Sequence, residues 1–183
     1  MVETNARPGE TFPRLMLQHA VTRPQHPAFR EKDLGIWQTI SWAQAAEEIR
    51  GFACGLAQLG FRRGMSLAII GDNRPRLYMA MAAAQSLGGI AVPLYQDAPA
   101  ADMAYVLENA GIDFAVVEDQ EQVDKLLEAR DTVPGLSHII YDDPRGLRNY
   151  TQPGLHAFED IQTRGAGYHR DHPDFYQNEV NAS

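Results

Sequence analysis

Only one of the 183 residues is cysteine and only two are lysine. The single Cys54 excludes an internal disulfide framework and any metal site built from several thiolates. Its place inside an apolar helical stretch makes it a small core residue rather than a nucleophile. Lys32 falls in a hairpin turn and Lys125 on an amphipathic helix, neither beside glycine-rich or hydroxyl-rich sequence. No two Ser or Thr residues are adjacent, and neither G-x-x-x-x-G-K-[ST] nor G-x-G-x-x-G occurs, so a self-contained ATP site is not expected. The longest basic run is Arg62-Arg63, and with a net charge of -8 this excludes the basic stripe that nucleic acid requires. No apolar run approaches the roughly 18 residues of a membrane span, so the chain is expected not to be transmembrane. The opening MVETNARPGE has no apolar signal-peptide core, which predicts a cytoplasmic location.

What is present is a regular rhythm. Thr11 and Pro13 open a helix whose apolar side is Phe12, Leu15, Met16 and His19. "AFREKDLGIWQTIS" reads as a hairpin that turns over residues 32–35. Ser41 then caps a helix running to about Leu59, with Ala45, Ala46, Ile49, Phe52, Ala53, Leu56 and Leu59 on one buried face and Gly60 ending it. Four apolar strands follow at 67–70, 90–94, 114–117 and 137–141, with helices at 75–87, 99–110 and 121–130 between them. This alternation predicts an α/β fold: a mainly parallel sheet with helices on both faces, preceded by a helix and a hairpin. The expected division is a flexible tail over 1–10, an α/β unit over 11–152, and a polar linker over 153–183 containing at most a short helix at 158–164.

The turn Gly71-Asp72-Asn73-Arg74-Pro75 lies where a parallel sheet presents ligands, beyond a strand's carboxyl end. Backbone amides there could hold an anion. The simplest alternative makes Asn73 the cap of a helix whose first turn holds Pro75. His169-Arg170-Asp171 matches the start of the kinase catalytic loop, but Tyr176 stands where that loop needs asparagine. His169 and His172 fall at i and i+3, too few for a metal site. His19, His26, His138 and His156 form no nucleophile–base pattern. Glu47-Glu48 and Asp142-Asp143 read as a solvated helix face and a turn. Gly88-Gly89 close a helix tightly onto the next strand, and Pro93 belongs near that strand's end.

Taken together, "AFREKDLGIWQTISW", "GLAQLGFRRGMSLAIIGDNRP", "AAAQSLGGIAVPLY", "YVLENAGIDFAVVEDQEQVDKLL" and "IIYDDPRGL" resemble the N-terminal part of the adenylate-forming synthetases. The nearest type is the long-chain fatty acid–CoA ligase, AMP-forming. The resemblance runs over roughly residues 11–160, in the family's order and spacing. It implies that the full-length enzyme takes fatty acid, ATP, Mg and CoA, and proceeds through an acyl-adenylate with release of pyrophosphate and then AMP. It also implies that the phosphate loop and every catalytic group lie beyond residue 183. No catalytic, cofactor-binding or metal residue is therefore assigned here, and the fragment is expected to be inactive alone. The alternative is a naturally short interaction or oligomerisation module derived from such a synthetase. A free-standing nucleotide-binding flavodoxin-like domain is a third reading. Apolar surface left uncovered would favour a homo-oligomer.

Overall fold

The computed structural model describes residues 10–183, so the expected tail lies outside the described residues except for Glu10. Helix α1 (Phe12–Thr22) has Pro13 in its first turn, and Thr11 precedes it in extended conformation. The Thr11 hydroxyl makes no cap bond; it lies 3.3 Å from the Ser183 hydroxyl instead. Met16 is buried, but Phe12 is 55% exposed, because the first turn sits on a shallow cleft rimmed by Gly88, Gly89 and Ser183. Strands β1 (Pro27–Asp33) and β2 (Ile36–Ser41) pair antiparallel around the two-residue turn Leu34-Gly35. Both turn residues have positive φ, 45° and 84°, as the twist of so tight a hairpin demands.

Ser41 caps α2 (Trp42–Leu59) through a complete capping box with Gln44, and Gly60 ends it in the left-handed region. The main sheet contains β3 (Ser66–Ile70), β4 (Ile90–Leu94), β5 (Ile112–Val117), β6 (His138–Tyr141) and β7 (Leu155–Ala157). Their order is β4-β3-β5-β6-β7, and every pairing is parallel. Three further helices connect them: α3 (Pro75–Ser86), α4 (Ala100–Asn109) and α5 (Gln120–Arg130). Alternation along the strands builds two cores. Leu67, Ile69, Phe114, Val116 and Ile140 face α2 and α3, while Ala68, Ile70, Ala115, Val117 and Ile139 face α4 and α5. The sheet is thus covered on both sides, as the apolar strands require.

The segment 153–183 differs from the expected linker. It supplies β7, then α6 (Phe158–Asp171) and α7 (Phe175–Ala182), all packed. The expected short helix at 158–164 is only the first half of α6. Gly165 and Gly167 look like loop signals in sequence, yet Gly165 is buried where α6 crosses α2. A Cβ at Gly165 would lie 1.7 Å from the Gly51 carbonyl oxygen, and one at Gly55 would lie 2.1 Å from that of Ile161. Only glycine permits that approach, and it lets the Phe158 ring stack on Phe52 at 4.0 Å. Consequently α2 is buried all round from Phe52 to Ala57, rather than along one stripe. Two arginines hold the last turn of α7. Arg14 donates to the carbonyls of Val180 and Asn181, and Arg63 donates to those of Glu179 and Ala182 and to the Glu179 carboxylate at 2.7 Å. Cations are favoured at a helix C-terminus for this reason.

Candidate functional site

A sheet ordered this way has a crevice at the carboxyl ends of β3 and β5, where successive connections leave in opposite directions. Gly71 and Asp72 follow β3 there, and Glu118 follows β5. The crevice is filled by the protein's own anion. Glu118 accepts from the Asp72 amide at 2.6 Å and from Arg74 Nε at 2.9 Å. The hydrogen bond to Glu118 is the largest reason the Arg74 guanidinium holds its proton more tightly than usual. A Cβ on Gly71, whose φ is 152°, would strike the Glu118 Cβ at 2.6 Å. Glycine at the end of β3 therefore serves a carboxylate rather than a phosphate. The cap of α3 is Arg74, not Asn73 as expected; the Asn73 side chain accepts from the Tyr78 hydroxyl at 2.9 Å.

A second arginine ties the neighbouring strand end. Arg76 donates to Asp142 at 2.9 Å and to Glu159 at 3.1 Å, with its guanidinium 5.4 Å from the Phe158 ring centre. Burial pulls this guanidinium down, but the bonds to Asp142 and Glu159 outweigh it and the net shift is upward. Asp142, in the bend that follows β6, is thus a structural partner. Its neighbour Asp143 is held below the usual carboxylate range, chiefly by the hydrogen bond from Arg145. Beside the crevice, over β3 and β4, lies an open cleft of about 570 Å³. Ile69, Leu77, Met81, Tyr78, Tyr95 and Asp97 are among the residues that line it. Gln96 donates to Asp72 at 2.7 Å, and Lys125 secures that loop by donating to the Gln96 carbonyl at 2.6 Å and pairing with Glu121 at 2.8 Å.

The remaining candidates are dispersed. Cys54 is buried, and burial raises its thiol to about 11, so it is un-ionised at neutral pH. His169 lies in α6 and His172 caps its end against Tyr168. Among the described residues, no three His, Cys, Asp or Glu side chains converge as metal ligands. Lys32 lies next to the end of β1, opposite Trp37 of β2. Glu47 pairs with Arg50 one turn along α2. Sequence reasoning missed the one histidine pair the fold assembles. His138 Nδ1 and His156 Nε2 are 3.1 Å apart on adjacent β6 and β7, and β7 carried too short an apolar signal to be read as a strand.

The parallel order and the sheet covered on both faces define a doubly wound α/β unit with its crevice at the strand ends. Known proteins agree. An anthranilate CoA ligase, AuaEII, solved with anthranoyl-AMP, matches with a TM-score of 0.75 at 18% identity over 90% of this chain and 30% of that one. Coronafacic acid ligase from Pectobacterium brasiliense matches with a TM-score of 0.72 at 16% identity over 82% of this chain and 29% of that one. The model of the AMP-binding enzyme family matches residues 17–174, and the chain belongs to that family. The Xenopus laevis long-chain-fatty-acid–CoA ligase ACSBG2 is 28% identical over 177 residues, 96% of this chain and 23% of the relative. The Mycobacterium tuberculosis protein Rv1549 is 35% identical over 106 residues, 58% of each. The chain therefore spans under a quarter of the ligase's length and matches just over half of Rv1549. No helix among the described residues is long and apolar enough to cross a membrane.

Proposed function

We propose that this chain is the N-terminal portion of a cytoplasmic, ATP-dependent long-chain fatty acid–CoA ligase and is inactive alone. In the full-length enzyme, fatty acid and ATP give an acyl-adenylate and pyrophosphate; the CoA thiol then displaces AMP. The observation that carries this reading is the alignment with ACSBG2 along 96% of the chain, together with the family match. The partners of the crevice residues support placing the ATP phosphates outside this chain. The crevice donors are spent on Glu118, and Lys125 is spent on Gln96 and Glu121. The chain's own contribution is mechanical. Arg74 and Arg76 clamp the ends of β3, β5 and β6 to the hairpin and α6, which stiffens the crest on which a later phosphate loop would rest.

A second reading, a short interaction or oligomerisation module, is favoured by one observation. The 106 matched residues are the same fraction of Rv1549 as of this chain, so the two are of nearly equal length. An antibody raised against the chain decides between them on a blot of the source cell. The ligase reading expects a band several times the chain's own 20.4 kDa. A band at 20.4 kDa overturns it and leaves the module.

A further inference from the structure

Residues 151–157 carry the last strand of the sheet, β7, between two anchors. Before them, the Tyr150 hydroxyl donates to Asp124 at 2.7 Å and accepts from Gln120 at 3.0 Å. After them, Phe158 is buried and stacked on Phe52. Of the side chains between the anchors none is fully buried, and Leu155 is half-buried against the core under α4 and α5. What closes the segment onto β6 is mainly polar. The Ile139 amide donates to the Gly154 carbonyl at 2.9 Å, Arg130 Nη1 donates to the Pro153 carbonyl at 2.8 Å, and His138 Nδ1 lies 3.1 Å from His156 Nε2.

We propose that residues 151–157 form an acid-released strap, closed on β6 while His138 and His156 share a hydrogen bond and freed when both imidazoles are protonated. In the neutral pair one ring nitrogen donates and the other accepts. A first proton can settle on a nitrogen that faces away, but a second leaves two N–H groups opposed across 3.1 Å. The His138 ring is stacked on Phe114 at 4.6 Å, so turning it aside gives up that contact. The charged groups around the pair are Asp113 of β5, Arg130 at the end of α5, and Asp160 and Arg164 of α6. Two carboxylates against two guanidiniums leave no spare negative charge to absorb the added protons. Arg130 sharpens this, because its Nε and Nη2 are buried with no hydrogen-bond partner among the described residues. Below the unfolded value of 6.5 the open strap takes up protons that the closed one refuses, so closure weakens from there downward.

The test is residue-resolved hydrogen exchange of the 183-residue chain at pH 8 and pH 5, corrected for the intrinsic pH dependence of exchange. In acid the Ile139 amide is expected to lose about tenfold in protection, the worth of one hydrogen bond, while the amides of β3 inside the sheet keep theirs. His156→Gln retains a hydrogen-bonding side chain that does not titrate, so its Ile139 amide should be equally protected at both pH values. Ile139 protection that ignores pH, or that falls as much in His156→Gln as in wild type, overturns the proposal. So does an equal loss in β3, which is unfolding of the whole chain rather than release of a strap. Should His156→Gln not fold, the wild-type rings decide: His138 and His156 resonances that titrate while Ile139 stays protected overturn it equally. None of these readouts uses acyl transfer or chain length, so failure here is separable from failure of the ligase reading.

Discussion

Gly165 has no room for a methyl group, whereas Gly167, two residues on in the same helix, meets nothing nearer than Arg170 at 3.8 Å. The two should respond oppositely to alanine. Gly165→Ala forces α6 off α2 and is expected to lower unfolding free energy by about 2–3 kcal/mol. Gly167→Ala should raise it by about 0.5 kcal/mol, by restricting the unfolded chain in a helix-compatible position. Urea denaturation of both variants measures the contrast. Glu118 presents a different case, a carboxylate that the fold uses as a peg. Glu118→Gln keeps the size but weakens the bonds to Arg74 and the Asp72 amide. Arg74 is 44% exposed, so solvent screens that pair and the expected loss is only about 1 kcal/mol, read from the same denaturation curve.

The elements differ in what holds their ends. Helix α2 begins with a reciprocal Ser41–Gln44 capping box, so Ser41→Ala should cost about 1 kcal/mol; Thr11→Ala should cost less, since Thr11 makes no such bond. The β6–β7 pairing contains the hydrogen-bonded imidazoles of His138 and His156, one of which must accept. Burial depresses both, helped by Arg130 at His138 and by His138 and Arg164 at His156; Asp113 and Asp160 oppose the shifts. A depressed histidine is neutral in both states above its unfolded value of 6.5. Below that pH the unfolded chain binds protons that the folded chain refuses, so stability falls from about pH 6.5 downward, toward the folded values. Denaturation midpoints at pH 8 and pH 5 test this. The drop should shrink in His156→Gln, and an unchanged slope would assign the acid sensitivity elsewhere.

At the scale of the molecule, the sheet ends on β4 at one edge and on β7 at the other. Ile90 donates its amide inward to Met65, so along β4 the amides of Ile90, Val92 and Leu94 face β3 while positions 91 and 93 face outward. Pro93 thus removes one of the few outward donors, which blunts the edge that an uncovered sheet would otherwise offer. Pro93→Val should restore that donor and increase self-association in sedimentation velocity while the monomer keeps its circular dichroism. Helices α6 and α7 cover another surface: α6 lies on α2, and α7 packs against α1, α2 and α3. Truncation after Ala157 would bare Phe52, Ala53 and Leu56, and the shortened chain is expected to aggregate or to lose fixed packing, seen as dye binding and a lost near-UV signal.

Local signals in the chain determined much of this architecture. Ser41 and Gly60 mark the ends of α2, the apolar runs at 67–70, 90–94 and 114–117 mark three strands, and their alternation with helices dictates a parallel sheet. These are decided within a few residues by capping, periodicity and turn chemistry, so they are legible in order along the sequence. What the fold alone decided are the contacts between distant segments: Glu118 in the crevice beside Gly71, the pairing of His138 with His156, and the seating of α6 against the glycines of α2. Each depends on which surfaces meet after the strands have taken their order. A three-residue strand, or a glycine that reads as a loop until another helix lies on it, has no local signature to betray it.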